Sequence, residues 1–228
     1  MRKKGNGKLF DEWPDAYDRW FTTPIGMLVK QYESELILDL LNPGHGEFIL
    51  DAGCGTGVFA LDVLSAGSRV IGLDLSLPML MRAKEKGRRV PFEIVSGDIL
   101  NLPFPDGTFD KVVSITALEF IEDGKGAINE LFRVTKREGS ILVATLNSLS
   151  PWAIRRKREA KKGHPLFGRA IFRSPGDLLS LAPAKGVVRT AIHFQKRDEP
   201  KIASEIEEEG RAKSLDTGAF VVARWKKP

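Results

Sequence analysis

Cysteine is almost missing from this chain: among 228 residues there is one, Cys54. A single thiol excludes an intramolecular disulfide and a cysteine-based zinc site. No run of about 18 apolar residues occurs, so no transmembrane helix is expected. The opening residues Met1-Arg2-Lys3-Lys4-Gly5-Asn6-Gly7-Lys8 are basic, but no apolar stretch follows, so a secretory signal is not expected. There is no internal repeat and no long low-complexity segment. By elimination these absences favour a cytoplasmic protein.

What is present is ordinary in bulk and uneven in detail. Hydrophobic residues make up 42% and charged residues 29%, as in a typical soluble globular domain. The length suits a single domain, residues 1–228, with an ample core. Net charge is +5, but residues 152–174 alone carry +7: Arg155, Arg156, Lys157, Arg158, Lys161, Lys162, Arg169 and Arg173 against Glu159. Such a segment serves an anionic substrate, a nucleic acid or an anionic membrane surface, or it is a solvated helix face with no ligand. Its aromatics, Trp152, Phe167 and Phe172, are sparse for base stacking, which weakens the nucleic-acid reading.

The periodicity predicts two N-terminal helices. Asp11 is placed to cap the first; Thr22 or Thr23 caps the second, with Pro24 at its first position. Ile25, Leu28, Val29, Tyr32, Leu36 and Leu40 recur at helical spacing, and Pro43-Gly44 ends the run. Beyond that, strands are expected at 48–52, 69–73, 92–95, 111–115 and 140–146, with helices at 58–65, 78–86 and 125–134 between them. Short apolar strands alternating with helices argue for a parallel sheet covered on both faces. Right-handed crossovers then bring Asp51, Asp74, Asp98 and Thr116 to one sheet edge, where open α/β sheets bind ligands. Residues 147–175 form a basic insert, Ser174-Pro175 starts a short helix through Leu181, and 187–194 and 219–225 read as final strands. Residues 195–217, charged and poor in apolar groups, read as their connection.

The turn Asp51-Ala52-Gly53-Cys54-Gly55-Thr56-Gly57 carries the most chemistry. Glycines at alternate positions let the backbone turn sharply and approach a ligand closely. A dinucleotide fingerprint is spaced G-x-G-x-x-G with an acid about 20 residues later; here the acid precedes the glycines. This arrangement resembles the first motif of class I S-adenosyl-L-methionine (SAM) dependent methyltransferases. Asp74 at the end of Arg69–Asp74, and the stretch Gly97-Asp98-Ile99 through Phe109-Asp110, match that family's later motifs in order and spacing, in its small-molecule, quinone-biosynthesis-like branch. The likeness covers about residues 45–146.

The resemblance implies a doubly wound, Rossmann-like α/β fold. Its sheet would be seven-stranded and mostly parallel with an antiparallel last strand, and helices would lie on both faces. Residues 1–45 would be a helical lid, 46–146 the SAM-binding core, and 176–228 a C-terminal helix and β-hairpin. Asp51 and Gly53 would meet the methionine part of SAM; Asp51 read alone is equally a helix cap. Gly55 and Gly57 complete the cradle. Asp74 would accept from the ribose hydroxyls, Asp98 and Ile99 would hold adenine, and Leu75 and Met79 would pack on its face. Thr116 and Ala117 would line the cleft. Tyr17 and Trp20 fall in a lid-like segment, with Tyr17 either at the SAM carboxylate or an aromatic staple. Cys54 reads as a buried filler, His45 and His193 as structural or exposed.

Methyl transfer needs an acceptor held in line with the donor, and a base only where the acceptor keeps its proton. Related sequences often carry a histidine after the fourth strand, where this chain has Glu119. Glu119 reads as a base, an amine ligand, or a helix-edge carboxylate paired with a basic neighbour. His164 is a second candidate if the basic insert folds over the cleft. The expected function is methyl transfer from SAM to a small-molecule, lipid or quinone-like acceptor, with S-adenosyl-L-homocysteine (SAH) as product. The alternatives are a non-catalytic SAM-binding protein, or an RNA or protein methyltransferase docking through the insert. No metal is expected, peripheral membrane contact is left open, and the assembly is read as monomer or homodimer.

Overall fold

The computed structural model describes residues 9–228; the basic residues 1–8 lie outside the described residues. The N-terminal segment forms α1 (Pro14–Trp20) and α2 (Pro24–Leu41). Thr23 caps α2 as expected, its hydroxyl accepting from the Gly26 amide at 3.1 Å, and Asn42 ends the helix in the left-handed conformation. The cap expected of Asp11 is absent. Trp13 holds that position without a side-chain bond, and Asp11 instead accepts a hydrogen bond from the Ser76 hydroxyl at 2.7 Å.

Strands and helices then alternate: β1 (Phe48–Ala52), α3 (Ala60–Ser65), β2 (Arg69–Asp74), α4 (Leu77–Lys86), β3 (Phe92–Ser96), β4 (Phe109–Ile115), α5 (Gly124–Val134) and β5 (Thr135–Leu146). α3 starts later than expected because three residues of the glycine turn, Gly53, Gly55 and Gly57, hold positive φ and helical repetition begins only beyond them. β5 starts earlier, because Thr135 pairs with Phe109 across a register shift, with Glu138 left-handed at φ 61°. The chain closes with α6 (Pro151–Lys161), α7 (Pro175–Leu179), β6 (Gly186–Ala191), α8 (Pro200–Ala212) and β7 (Phe220–Lys226). α8 corrects the expectation of a plain connection over 195–217. Its inward face is Ala203, Glu207 and Gly210, which is helical in period but not apolar enough to register as a hydrophobic stripe.

The seven strands form one sheet in the order β3-β2-β1-β4-β5-β7-β6. β1 to β5 are mutually parallel, and β7 runs antiparallel to both β5 and β6. Neighbouring residues on a strand feed opposite layers. Ile49, Leu142 and Val222 join α2 and α3 in one core, while Leu50, Val143 and Val221 join α5 in the other. Ile49 and Leu50 are both fully buried, and burying a side chain of this size contributes about 1.5–3 kcal/mol. Two covered faces account for strands that are apolar throughout.

Candidate functional site

The C-terminal ends of β1, β2, β3 and β4 open onto a cavity of about 450 Å3. The glycine turn forms its floor. Gly53, Gly55 and Gly57 have φ of +84°, +53° and +75°, values that cost side-chain-bearing residues about 1–2 kcal/mol. The turn is tied to β2: the amides of Gly53 and Cys54 both donate to the Leu73 carbonyl, at 2.6 and 3.0 Å. The glycines differ in surroundings. A Cβ at Gly53 would stand 2.4 Å from the Ala117 methyl, whereas one at Gly55 would meet no protein atom within 4 Å. Gly53 therefore serves close packing, and Gly55 leaves room at the cavity wall.

Asp51 is buried, and its Oδ1 has no hydrogen-bond partner. Burial, reinforced by the Asp74 charge, pushes its carboxyl up to about 7. α3 is capped by Phe59 without a side-chain bond, so Asp51 does not act as a helix cap. A buried carboxylate with an unmet acceptor on a cavity wall is suited to a cationic ligand group. Asp74 accepts from the Gly55 amide at 2.9 Å and from the Ser76 amide at 2.8 Å. It thus holds the turn to the start of α4 while also facing the cavity. Burial raises its pKa, opposed by those backbone donors. Asp98 accepts from the Leu100 amide at 3.0 Å, which orients its carboxylate at the β3 end. Ile99 and Met79 are buried in the wall and Leu75 is half-open beside them. The cavity therefore offers carboxylates at three strand ends along one apolar-walled slot.

At the end of β4, Thr116 adopts φ +50°, a rare conformation for a β-branched residue and a frequent mark of functional sites. Its amide still donates to the Ala144 carbonyl at 2.9 Å. Tyr17 of α1 meets the Thr116 side chain here, and burial beside the Glu33, Glu119 and Asp51 carboxylates raises its phenol pKa. Tyr17 also packs edge-on against Phe21, with ring centroids 5.2 Å apart, so the staple and cleft positions coincide. Cys54 is buried and its thiol is pushed well up by burial and the neighbouring aspartates, an inert filler as expected.

Neither catalytic candidate lines the cavity, and the two lie in different surroundings. His164 stacks on Phe167 at 4.2 Å and is not in the cavity wall. Glu119 lies in a 3-10 turn, Leu118–Phe120. It is not the helix-edge carboxylate of an exposed ion pair: it is buried, Oε2 accepts from the Thr145 hydroxyl at 3.2 Å, and Oε1 has no partner. Burial pushes its carboxyl up to about 7.

The alternative of a solvated helix face over 153–162 holds only in part. Lys157, Arg158, Lys161, Lys162 and Arg169 are exposed, but Arg173 is buried and donates to the Leu118 carbonyl at 3.0 Å. Arg156 also turns inward, with a buried Nη1 that has no partner, and lies over the Trp152 ring at 5.2 Å. Sequence reasoning missed Arg156, Glu33, Phe10 and Phe120. Glu33 had a signal: it stands on the same α2 stripe as Val29, Leu36 and Ile37, all buried.

Residues 50–143 match a family model described as a methyltransferase domain. A demethylmenaquinone methyltransferase of Beutenbergia cavernae is 37% identical over 116 residues, 51% of this chain and 47% of that protein. A malonyl-[acyl-carrier protein] O-methyltransferase of Erwinia pyrifoliae is 40% identical over 112 residues, 49% of this chain and 42% of that protein. The chain spans about half the length of these relatives. A SAM-dependent methyltransferase of Thermotoga maritima superposes with a TM-score of 0.71 at 22% identity, over 97% of this chain and 99% of that one. A Haemonchus contortus phosphoethanolamine N-methyltransferase in complex with SAM superposes at 0.66 with 16% identity, over 100% of this chain and 61% of that one. Motif order, sheet topology and these likenesses agree: residues 50–143 match a methyltransferase domain, and the whole sheet has a Rossmann-like fold.

Proposed function

We propose that this protein transfers a methyl group from SAM to a small-molecule acceptor. The observation that carries the reading is the convergence of Asp51, Asp74 and Asp98, from three strand ends, on one cavity floored by the glycine turn. The residues suit the donor's parts in order. Asp51, with its unpartnered Oδ1, would hold the α-ammonium. Asp74 has oxygen lone pairs to spare beyond its two backbone donors and would accept from the ribose hydroxyls. Asp98 would accept from the adenine amino group, with Leu75, Met79 and Ile99 against the ring. Gly53 and Gly55 keep the wall free of Cβ atoms, Gly57 lies outside the wall facing Phe92 and Ala83, and Thr116 and Tyr17 would stand at the methyl-bearing end.

SAM supplies the electrophile, a methyl group on a sulfonium. The protein's part is positioning and exclusion of water. α1 is fastened over the turn: Asp18 accepts from the Thr56 hydroxyl at 2.7 Å and from the Lys86 ammonium at 2.6 Å. Asp15 pairs with Arg82, and Phe10 meets Phe120 edge-on at 4.8 Å. These contacts support the reading of α1 as a cover for the cleft. Titration calorimetry with SAM and SAH tests the proposal. Micromolar binding of both is expected; absence of binding by folded protein would remove SAM from the reading.

A further inference from the structure

Behind Tyr17 lies a second group of buried polar side chains that the cofactor roles do not use. Glu33 comes from α2, Glu119 from the turn after β4, and Arg156 from α6. Glu33 is 8% exposed and Glu119 is 1% exposed. Burial and the charges of Arg156, Lys30 and Glu119 act on Glu33. Oε1 of Glu119 and Nη1 of Arg156 are both buried without partners. The three charges influence one another, yet among the described residues no ion pair closes between them. A structural cluster would satisfy itself, since an unpaired buried charge costs several kcal/mol. This one is left unsatisfied, and its three residues lie behind the cavity wall rather than in it.

The charge count selects the occupant. Two carboxylates against one guanidinium leave a deficit of one positive charge. Lys30 is engaged with Asp62, and Arg173 is committed to the Leu118 carbonyl. The cluster adjoins the cavity at Tyr17, whose phenol feels Glu33, Glu119 and Asp51 and meets Thr116. We propose that Glu33, Glu119 and Arg156 form the acceptor subsite, and that the acceptor is a small primary or secondary amine.

The inference rests on SAM being the donor. In the step it implies, the bound ammonium first gives one proton to the Glu33 carboxylate, and the uncharged amine nitrogen then forms a bond to the methyl carbon as the carbon–sulfur bond breaks. That electron pair returns to sulfur, leaving the thioether SAH, and the surplus N–H proton passes to the Glu119 carboxylate. Burial places Glu119 near 7 and Glu33 near 8, a range in which a carboxylate accepts a proton at neutral pH.

The test is calorimetry on the full chain saturated with SAH. The probes are benzylamine, phenethylamine and tryptamine, against benzyl alcohol, phenethyl alcohol and benzoate. At least one amine is expected to bind tenfold or more tightly than its alcohol, and benzoate weakest of all. Glu33→Gln and Glu119→Gln should each weaken that amine tenfold or more while SAH affinity stays within twofold, which certifies the fold. Arg156→Met removes a competing cation and should leave the amine bound at least as tightly. No preference for amines, or equal loss in all three variants with SAH affinity retained, would overturn the subsite. A wild-type chain that fails to bind SAH would overturn the donor assignment instead.

Discussion

At the scale of single residues, the aspartates of the cleft differ in what each carboxylate already does. Asp74 binds two backbone amides, so Asp74→Ala removes both the ribose acceptor and a brace of the glycine turn. SAM affinity should fall by roughly 1.5–3 kcal/mol, the worth of hydrogen bonds to a charged group; calorimetry reading an unchanged affinity would refute the role. Asp51 is unbraced at Oδ1 and is raised by burial to about 7 in the free protein. An ammonium ligand favours its ionised form, so binding below that pKa must release a proton. SAM affinity should therefore drop towards tenfold per pH unit below about 7 and level off above it. Asp51→Asn should bind more weakly and lose that slope in titrations from pH 5.5 to 8.5.

Single elements set what the site tolerates. In the glycine turn, Gly55 has open space where a Cβ would sit, while Gly72 of β2 would drive one to 2.7 Å from the Cys54 sulfur and 2.8 Å from the Phe92 ring. Gly55→Val should leave the circular-dichroism spectrum native and abolish SAM binding; normal SAM affinity in this variant would move the cofactor away from the turn. Gly72→Val should instead lower the melting temperature by several degrees, since overpacking a closed core typically costs about 1–3 kcal/mol. The other working element is α1, held by Asp18 to Thr56 and Lys86. Asp18→Ala removes the acceptor those two groups share. Faster release of SAH in stopped-flow displacement and weaker amide protection over residues 14–20 are expected; an unchanged off-rate would mean that α1 does not gate the cleft.

For the whole molecule, the unusual quantity is the number of buried carboxylates with raised pKa. Glu33, Glu119 and Asp51 come from different elements, and burial is the leading cause for each. Each binds its proton more tightly folded than unfolded, where ordinary values near 4.5 and 3.8 apply. Between those values and the folded ones, the native state carries more protons. Stability is then complete at the acid end of the window and declines as pH rises through about 7 to 8. The ligand-free protein should lose stability to urea from pH 5 to 8, opposite to the trend of paired surface carboxylates. Glu33→Gln should flatten that decline by roughly 1 kcal/mol per pH unit over its part of the window. A wild-type profile that rises over this range would contradict the buried cluster.

The amino-acid sequence by itself determined the glycine turn and the carboxylates of the cleft. Asp51, the alternate glycines, Asp74 and Asp98 are read off as strand, turn and loop because their chemistry is local: a β-α unit needs its glycines and acid within a few residues of each other. Thr23 with Pro24, Ser76 and Ser174 announce helix starts for the same reason, since a cap bonds an amide two or three residues away. α8 escaped because small residues and a buried Glu207 replace an apolar stripe on its inner face, and Asp11 misled because a distant hydroxyl took its carboxylate. The cluster of Glu33, Glu119 and Arg156 was decided only by tertiary structure. The three lie far apart along the chain, and of them only Glu119 is singled out in the sequence, as a base, an amine ligand or a paired carboxylate. Only the fold withdraws Glu33 and Glu119 from water, and that desolvation, which no local pattern encodes, is what changes their chemistry.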